Sequence, residues 1–457
     1  MTELKPKTSG EIHRLQADDQ QYLWHPFTQM KEWEKESPLI IQSGKGPFLI
    51  DVHGRRYLDG VSSLWVNLHG HRKKEIDRAL ISQIRKIAHT TLLGLSNIPA
   101  IELARKLLEI APKGLARVFY SDNGSTAVEV ALKMAFQYWQ LKSRPKKRKF
   151  VSFINAYHGD TLGSVSVGGI DLFHRRFEPL LFETVRVPYP YCYRCHLSLS
   201  YPSCGVACLQ EVETLIKTRH EELAAVIIEP RVQAAAGMII SPPGYLRQIR
   251  KLCNEYQVLM IADEVATGFG RTGKMFACDH EEVVPDLMAL AKGITGGYLP
   301  LAATLTTQSI YEAFLGNYSE FKTFFHGHSY TGNPLACAAA LANLGIFEKE
   351  KTLSKIHSKI RRLSLALRSL DQLDHVGDIR QCGMMVGIEL VKDKMSREPY
   401  PLTEKKGILV TLEARKRGML IRPLGNVVVL MPPLSTPHSV LTRMVQILRG
   451  SIRKVIT

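Results

Sequence analysis

The period of the hydrophobic pattern changes along the chain, and the changes divide it. Between residues 66 and 345, stretches with apolar residues three or four positions apart alternate with short continuous apolar runs. The first kind predicts amphipathic helices over 73–88, 98–110, 125–140, 208–218, 243–256 and 333–348. The second predicts strands over 116–120, 150–154, 163–167, 224–228, 258–263, 287–291 and 301–305. Strands with no polar face need cover on both sides, so this alternation predicts an α/β fold with a mainly parallel sheet flanked by helices. After residue 346 the rhythm becomes helix 351–370, a β-rich stretch over 376–390, helix 403–417, strands 418–421 and 427–431, and helix 436–454, a smaller α+β unit. Upstream, Phe48, Ile50, Val52, Tyr57 and Leu58 alternate about His53-Gly54-Arg55, which predicts a hairpin. The expected division is 1–65 as an N-terminal segment of the small domain, 66–345 as the large domain and 346–457 as the rest of the small one.

Composition narrows the class. A chain of 457 residues is long enough for two or three structural units, and 45% hydrophobic with 23% charged residues is ordinary for a soluble globular protein. No apolar run reaches the ~20 residues that span a bilayer. Residues 1–20 carry no apolar signal region, and eight cysteines in so long a chain do not form a disulfide scaffold. A cytoplasmic protein without a membrane partner is expected. The net charge of +17 opens another class, a basic RNA-binding protein, with its densest patch at Lys142-Ser143-Arg144-Pro145-Lys146-Lys147-Arg148-Lys149. That run sits between a predicted helix and a predicted strand, with Pro145 marking a turn, so it reads as a solvated loop and no nucleic-acid partner is expected.

The chemistry gathers where apolar runs end. The run 287–291 ends in Lys292, followed by Gly293, Gly296 and Gly297; the run 258–262 ends in Asp263. A lysine at the mouth of a buried strand is desolvated, which lowers its pKa and frees the amine as a nucleophile. Asp and Lys delivered by two buried strands suit pyridoxal phosphate: Lys292 for the Schiff base, Asp263 for the pyridinium nitrogen. A phosphate would be held where Asn123-Gly124-Ser125-Thr126 turns into a helix start, because unpaired N–H groups there favour an anion; the plain alternative is a helix cap. Tyr157, after the strand 150–154, can stack on a cofactor ring. His326-Gly327-His328-Ser329 offers a second hydroxyl-bearing turn at a helix start.

Two other motifs compete. Gly268-Phe269-Gly270-Arg271-Thr272-Gly273-Lys274 resembles a phosphate loop, but Met275 stands where Ser or Thr would ligate magnesium. Cys192, Cys195, Cys204 and Cys208 have roughly the spacing of a zinc or iron–sulfur site; the pyridoxal chemistry needs no metal, and free thiols in a surface insertion are the other reading. Arg422, between two short strands, can take a carboxylate through paired hydrogen bonds.

Together, Leu259 onward (L-M-I-A-D-E-V-A-T-G-F-G-R-T-G-K), Ala291-Lys292-Gly293 and residues 325–334 resemble the class III aminotransferases of fold type I. Trp24-His25-Pro26-Phe27-Thr28-Gln29-Met30, Ser62-Ser63-Leu64-Trp65 and Ile421-Arg422-Pro423 are similar, more narrowly, to the 7,8-diaminononanoate synthases of biotin biosynthesis. The resemblance implies that Lys292 and Asp263 engage pyridoxal phosphate, that Gly124, Ser125 and the partner subunit's Ser329 hold its phosphate, and that Tyr157, with Asp160 nearby, covers its ring. It implies that Trp65 and Gly327 border the substrate, that Arg422 binds the carboxylate of 8-amino-7-oxononanoate, and that the enzyme is a homodimer. Phe27 stands where most S-adenosylmethionine users of the family have Tyr, and Leu64-Trp65 where they have two tryptophans, so the implied donor is S-adenosylmethionine or L-lysine. An ω-amino acid aminotransferase is the other reading within the fold.

Overall fold

The computed structural model describes residues 7–456; the first six residues of the expected N-terminal segment, and Thr457, lie outside the described residues. Seven strands form the central sheet, in the order Leu115–Ser121, Ala302–Thr307, Leu287–Leu290, Leu259–Asp263, Leu223–Ile228, Lys149–Phe153 and Thr184–Val187. All neighbours pair in parallel except Ala302–Thr307, which runs antiparallel to both of its partners. The mainly parallel α/β fold read from the pattern is therefore what the chain forms. Strict alternation explains why these strands show no polar face: Ile261, Leu287 and Ala289 pack with Val128, Ala131 and Ala135 of the helix Gly124–Leu141. Met260, Ala262, Met288 and Leu290 join the main core on the opposite face.

One expected strand is not a strand. Residues 163–167 contribute to a single helical turn, Leu162–Ser166. The Glu129 carboxylate accepts the Gly163 and Ser164 N–H groups, at 2.7 and 3.3 Å, and the Ser164 hydroxyl donates to the Ser125 carbonyl at 3.0 Å. These bonds leave no ladder for a sheet neighbour to share. The edge position goes instead to Thr184–Val187, a strand that the pattern misses because it is four residues long and carries Arg186.

The two ends of the chain share a sheet. The antiparallel strands Ile41–Lys45, Phe48–Asp51 and Arg56–Asp59 continue, through Arg56–Asp59, into a parallel pairing with Met419–Leu420. A second antiparallel sheet contains Val376–Cys382, Met385–Asp393, Val427–Leu430 and Arg422–Leu424. Against the second sheet, the loop carrying the four cysteines is tied down by a buried acid: Glu389 accepts from Arg194 at 2.7 Å, from Arg380 at 2.6 Å and from the Tyr191 hydroxyl. All four thiols are free and line one small cavity with Tyr191 and Leu197. Among the described residues, no three His, Cys, Asp or Glu side chains are grouped so as to hold a metal ion.

The basic run does not form one free surface either. Lys147 is turned inward, 1% exposed, and its ammonium donates to the carbonyls of His220 (2.5 Å), Leu223 (3.3 Å) and Gln257 (2.9 Å) while lying 4.7 Å from the Trp139 ring. Burial pushes the amine down to about 8. Lys149 pairs with Glu183 and Glu222. Replacing Lys147 by Ala removes a cation bonded to three carbonyls and is expected to cost about 2–4 kcal/mol, whereas Lys146→Ala, on the exposed neighbour, should cost less than about 0.5 kcal/mol. Urea midpoints of the two variants check this; equal midpoints would show that Lys147 is not a structural cation.

Candidate active site

Because strands Leu259–Asp263 and Leu287–Leu290 run parallel in register, with Asp263 opposite Ala289, both deliver their next residues to the same end of the sheet. A cavity of about 740 Å³ opens there, lined among others by Asp263, Lys292, Tyr157, Ser125, Trp65 and Glu229. This is the end at which open α/β sheets bind ligands. Lys292 begins a short turn, Lys292–Thr295, with a left-handed backbone (φ 46°), and its Nζ lies 5.1 Å from the centre of the Trp65 ring. Burial holds its amine below the ordinary lysine range, with Arg271 adding to the effect and Asp263 and Glu229 opposing it. Asp263 is fixed on both oxygens: Oδ1 accepts the Val265 N–H at 3.0 Å, and Oδ2 lies 2.7 Å from His158 Nδ1.

The anion cradle is equally specific. Asp122, Asn123, Gly124 and Ser125 line the same cavity, where the helix Gly124–Leu141 starts. The Asn123 side chain caps that helix by accepting the Thr126 N–H at 3.1 Å. A Cβ at Gly124 would stand 2.6 Å from Val265 Cγ1, so only a bare backbone fits there. Ser125 Oγ accepts the Asp160 N–H at 3.1 Å, and Gly159 (φ 122°) passes so close that a Cβ would lie 2.0 Å from that oxygen. A phosphate suits this setting: the helix N-terminus has no acidic residue in its first turn, a hydroxyl stands beside it, and the close backbone approach is bought by two glycines. Tyr157, whose hydroxyl donates to Asp160 at 2.7 Å, stands over the same space.

Trp65 reaches the cavity through strained backbone. Ser62, Ser63, Leu64 and Trp65 are all left-handed (φ 51°, 48°, 70° and 71°), a conformation that costs energy in each residue and needs outside support. Asp59 supplies part of it, accepting the Ser63 N–H and hydroxyl, each at 2.8 Å. The Ser62 hydroxyl, donating to the Met431 carbonyl at 2.7 Å, and Arg271 supply more. Arg271 is 1% exposed and donates to Ser62 Oγ (3.2 Å) and to the carbonyls of Trp65 (3.2 Å), Asn67 (2.9 Å) and Pro432 (3.0 Å). The glycines around it, Gly270 and Gly273, have left-handed φ values of 86° and 97°. The phosphate-loop lookalike is thus a turn that aims a buried guanidinium.

Of the residues expected at the site, Lys292, Asp263, Tyr157, Gly124, Ser125 and Trp65 line this one cavity, and Phe27, Arg422, Gly327 and Ser329 do not. Phe27 and Arg422 stand together, the guanidinium carbon 5.9 Å from the ring centre, and Phe173 links Phe27 (5.4 Å) to Tyr157 (6.3 Å). Gly327 and Ser329 are exposed. Two residues given no role by the sequence reading are part of the site. Glu229, directly after the strand Leu223–Ile228, accepts the backbone N–H groups of Tyr157 (3.1 Å) and Ala234 (3.0 Å). His158 grips Asp263. A carboxylate directly beyond a wholly apolar strand, as at Asp263, was the available signal for Glu229; His158 had none beyond its place beside Tyr157.

Burial, together with Asp263, raises the Glu229 carboxyl from 4.5 to about 7, against His158 and the two N–H groups. Between those values the folded protein keeps a proton that the unfolded chain gives up, so stability falls as pH rises through that window. Glu229→Gln should remove that slope. Melting temperatures of both proteins, measured at about pH 5 and about pH 7.5, check it, and parallel slopes would refute it.

The family of class-III aminotransferases matches residues 29–452. Adenosylmethionine-8-amino-7-oxononanoate aminotransferase of Geobacter sulfurreducens is 55% identical over 446 residues, which cover 97% of this chain and 98% of that one. The protein of the same name from Aquifex aeolicus is 51% identical over 457 residues, covering 100% of this chain and 99% of that one. A crystal structure of the Methanocaldococcus jannaschii protein of that name superposes with a TM-score of 0.93 at 49% identity, covering 97% of this chain and 100% of that one. The omega transaminase of Pseudomonas jessenii, solved in complex with PMP, superposes at 0.92 with 32% identity, covering 96% of this chain and 98% of that one. A family match across almost the whole length, with the lysine, the aspartate and the anion cradle around one cavity, leaves one conclusion: this chain belongs to the class-III aminotransferases, and it is a pyridoxal-phosphate-dependent transaminase.

Proposed function

We propose that this transaminase passes an amino group to 8-amino-7-oxononanoate, giving 7,8-diaminononanoate for biotin synthesis, in a two-stage exchange with S-adenosylmethionine or L-lysine as donor. The observation that carries this reading is full-length identity above one half to relatives named for that ketone. Backbone likeness alone does not carry it, because omega transaminases superpose almost as well.

Bound pyridoxal phosphate supplies an electron sink for the charge left when a proton departs from the donor carbon. The chain's own groups do the rest. Lys292, whose amine burial holds below the ordinary lysine range, would take that proton and hand it on. Asp263, fixed on both oxygens, would hold a proton on the ring nitrogen. Gly124 and Ser125, with Ser329 of the partner subunit, bind the phosphate, and Tyr157 covers the ring. Trp65 and Gly327 border the substrate, and Arg422 takes the keto acid's carboxylate through paired hydrogen bonds. A homodimer sharing its sites fits the exposed positions of Gly327 and Ser329, away from this chain's own cavity. The proposed location is the cytoplasm.

The donor is chosen near Phe27 and Leu64. Neither carries a polar group, so neither offers a hydrogen bond, and a site that lacks a bonding partner loses discrimination for the substrate needing it.

Lys292→Ala should lower turnover by about 10²–10⁴-fold or more, and steady-state rates near those of the parent without added amine would remove its role. Arg422→Ala should raise the KM of the keto acid by about tenfold to a hundredfold, the worth of a charge-assisted pair, while changing that of the donor little. Equal losses for both substrates would refute the assignment. With 8-amino-7-oxononanoate fixed, turnover with S-adenosylmethionine and with L-lysine names the donor; activity with neither removes the proposed function.

A further inference from the structure

We propose that His158 is a positioning residue for the transamination, locking the Asp263 carboxylate in the one orientation that serves the cofactor's ring nitrogen. The inference rests on the reading of Asp263 given above and adds a residue to it.

His158 is 3% exposed, and its Nδ1 lies 2.7 Å from Asp263 Oδ2. An ionised carboxylate can only accept, so Nδ1 must carry the proton in that bond. Nε2 is also buried and has no protein partner, so the ring has one strong anchor, and that anchor is Asp263. The bond is directional in effect. Oδ1 is held by the Val265 N–H and Oδ2 by His158, so the carboxylate plane is fixed from both sides and does not swing toward Lys292. Asp263 raises the cost of charging the buried carboxyl of Glu229, and His158, with the N–H groups of Tyr157 and Ala234, opposes this.

Several charged groups surround the imidazole. Asp263 and Glu229 come from the ends of two neighbouring strands, with Lys292 beyond them. His174, itself buried, couples to His158, and Asp160 and Arg186 act on His174. The ring is enclosed on the side away from the cavity, so its tautomer is set by the protein and not by solvent. A buried imidazole whose single bond goes to the acid at the cofactor's ring has the form of a support that acts through another residue.

Apoprotein of the parent, His158→Phe, His158→Asn and Asp263→Asn is titrated with pyridoxal phosphate, and the visible band is followed across pH. His158→Phe should weaken cofactor binding by about tenfold to a hundredfold, the equivalent of one charge-assisted hydrogen bond, with apoprotein melting like the parent's. His158→Asn, whose amide N–H stands near the place of Nδ1, should restore most of that affinity and still shift the pH midpoint of the band, because a neutral amide supports the acid less than the imidazole does. A parent-like His158→Phe beside an altered Asp263→Asn overturns the inference, and so does a His158→Asn no better than His158→Phe. If His158→Phe does not fold, the band of His158→Asn decides: a shifted midpoint upholds the inference, and an unshifted one overturns it. A parent-like Asp263→Asn removes the assignment of Asp263 itself, and His158 with it.

Discussion

The register between two parallel strands governs this molecule. Asp263 pairs opposite Ala289, so the chain that carries Lys292 leaves the sheet three residues later, beside the acid. A slip of one residue would send every side chain of one strand to the other face and part the two groups. What prevents the slip is the packing on both sides, because Ile261 and Ala289 meet the helix Gly124–Leu141 while Met260 and Met288 enter the main core. The same helix starts at the cavity, so one packing solution positions the amine, the acid and the N–H groups of that helix start together. Burial then does the chemical tuning by lowering the amine of Lys292.

Around that frame the protein places charges in pairs or gives them carbonyls. Arg271 has four oxygen partners and Lys147 has three, all uncharged. Each is a buried cation that ties distant segments: Arg271 joins the strained 62–67 stretch to Pro432, and Lys147 ties its loop to His220, Leu223 and Gln257. Glu389 does the same in the opposite sense of charge, collecting Tyr191, Arg194 and Arg380 between the cysteine loop and the small unit. Removing any one leaves several polar groups unsatisfied at once, which is costlier than losing one contact.

Much of the central sheet was legible in the sequence because its strands are apolar on both faces and end in a charged residue or a glycine turn. Lys292, Asp263 and Gly124 could be read that way. The strand Thr184–Val187 could not, since four residues with an arginine carry no period, and 163–167 misled because Val165 and Val167 alternate while Glu129, distant in sequence, claims the backbone. Glu229 and His158 escaped for a related reason: their roles come from partners supplied by other elements. Arg271 was visible only inside a motif that points to another chemistry. Phe27, Arg422, Gly327 and Ser329, whose full roles came only with the resemblance, lie outside the cavity lined by this chain.

The left-handed run from Ser62 to Trp65 limits how this pocket can change over evolutionary time. Leu64 is half exposed at φ 70°, so a larger or smaller side chain meets little steric resistance there, but valine, isoleucine and threonine are disfavoured by the backbone itself. Variation at this wall is therefore channelled into unbranched, aromatic and amide side chains. Any change at position 64 has a short menu of side chains, written by the backbone before any substrate arrives.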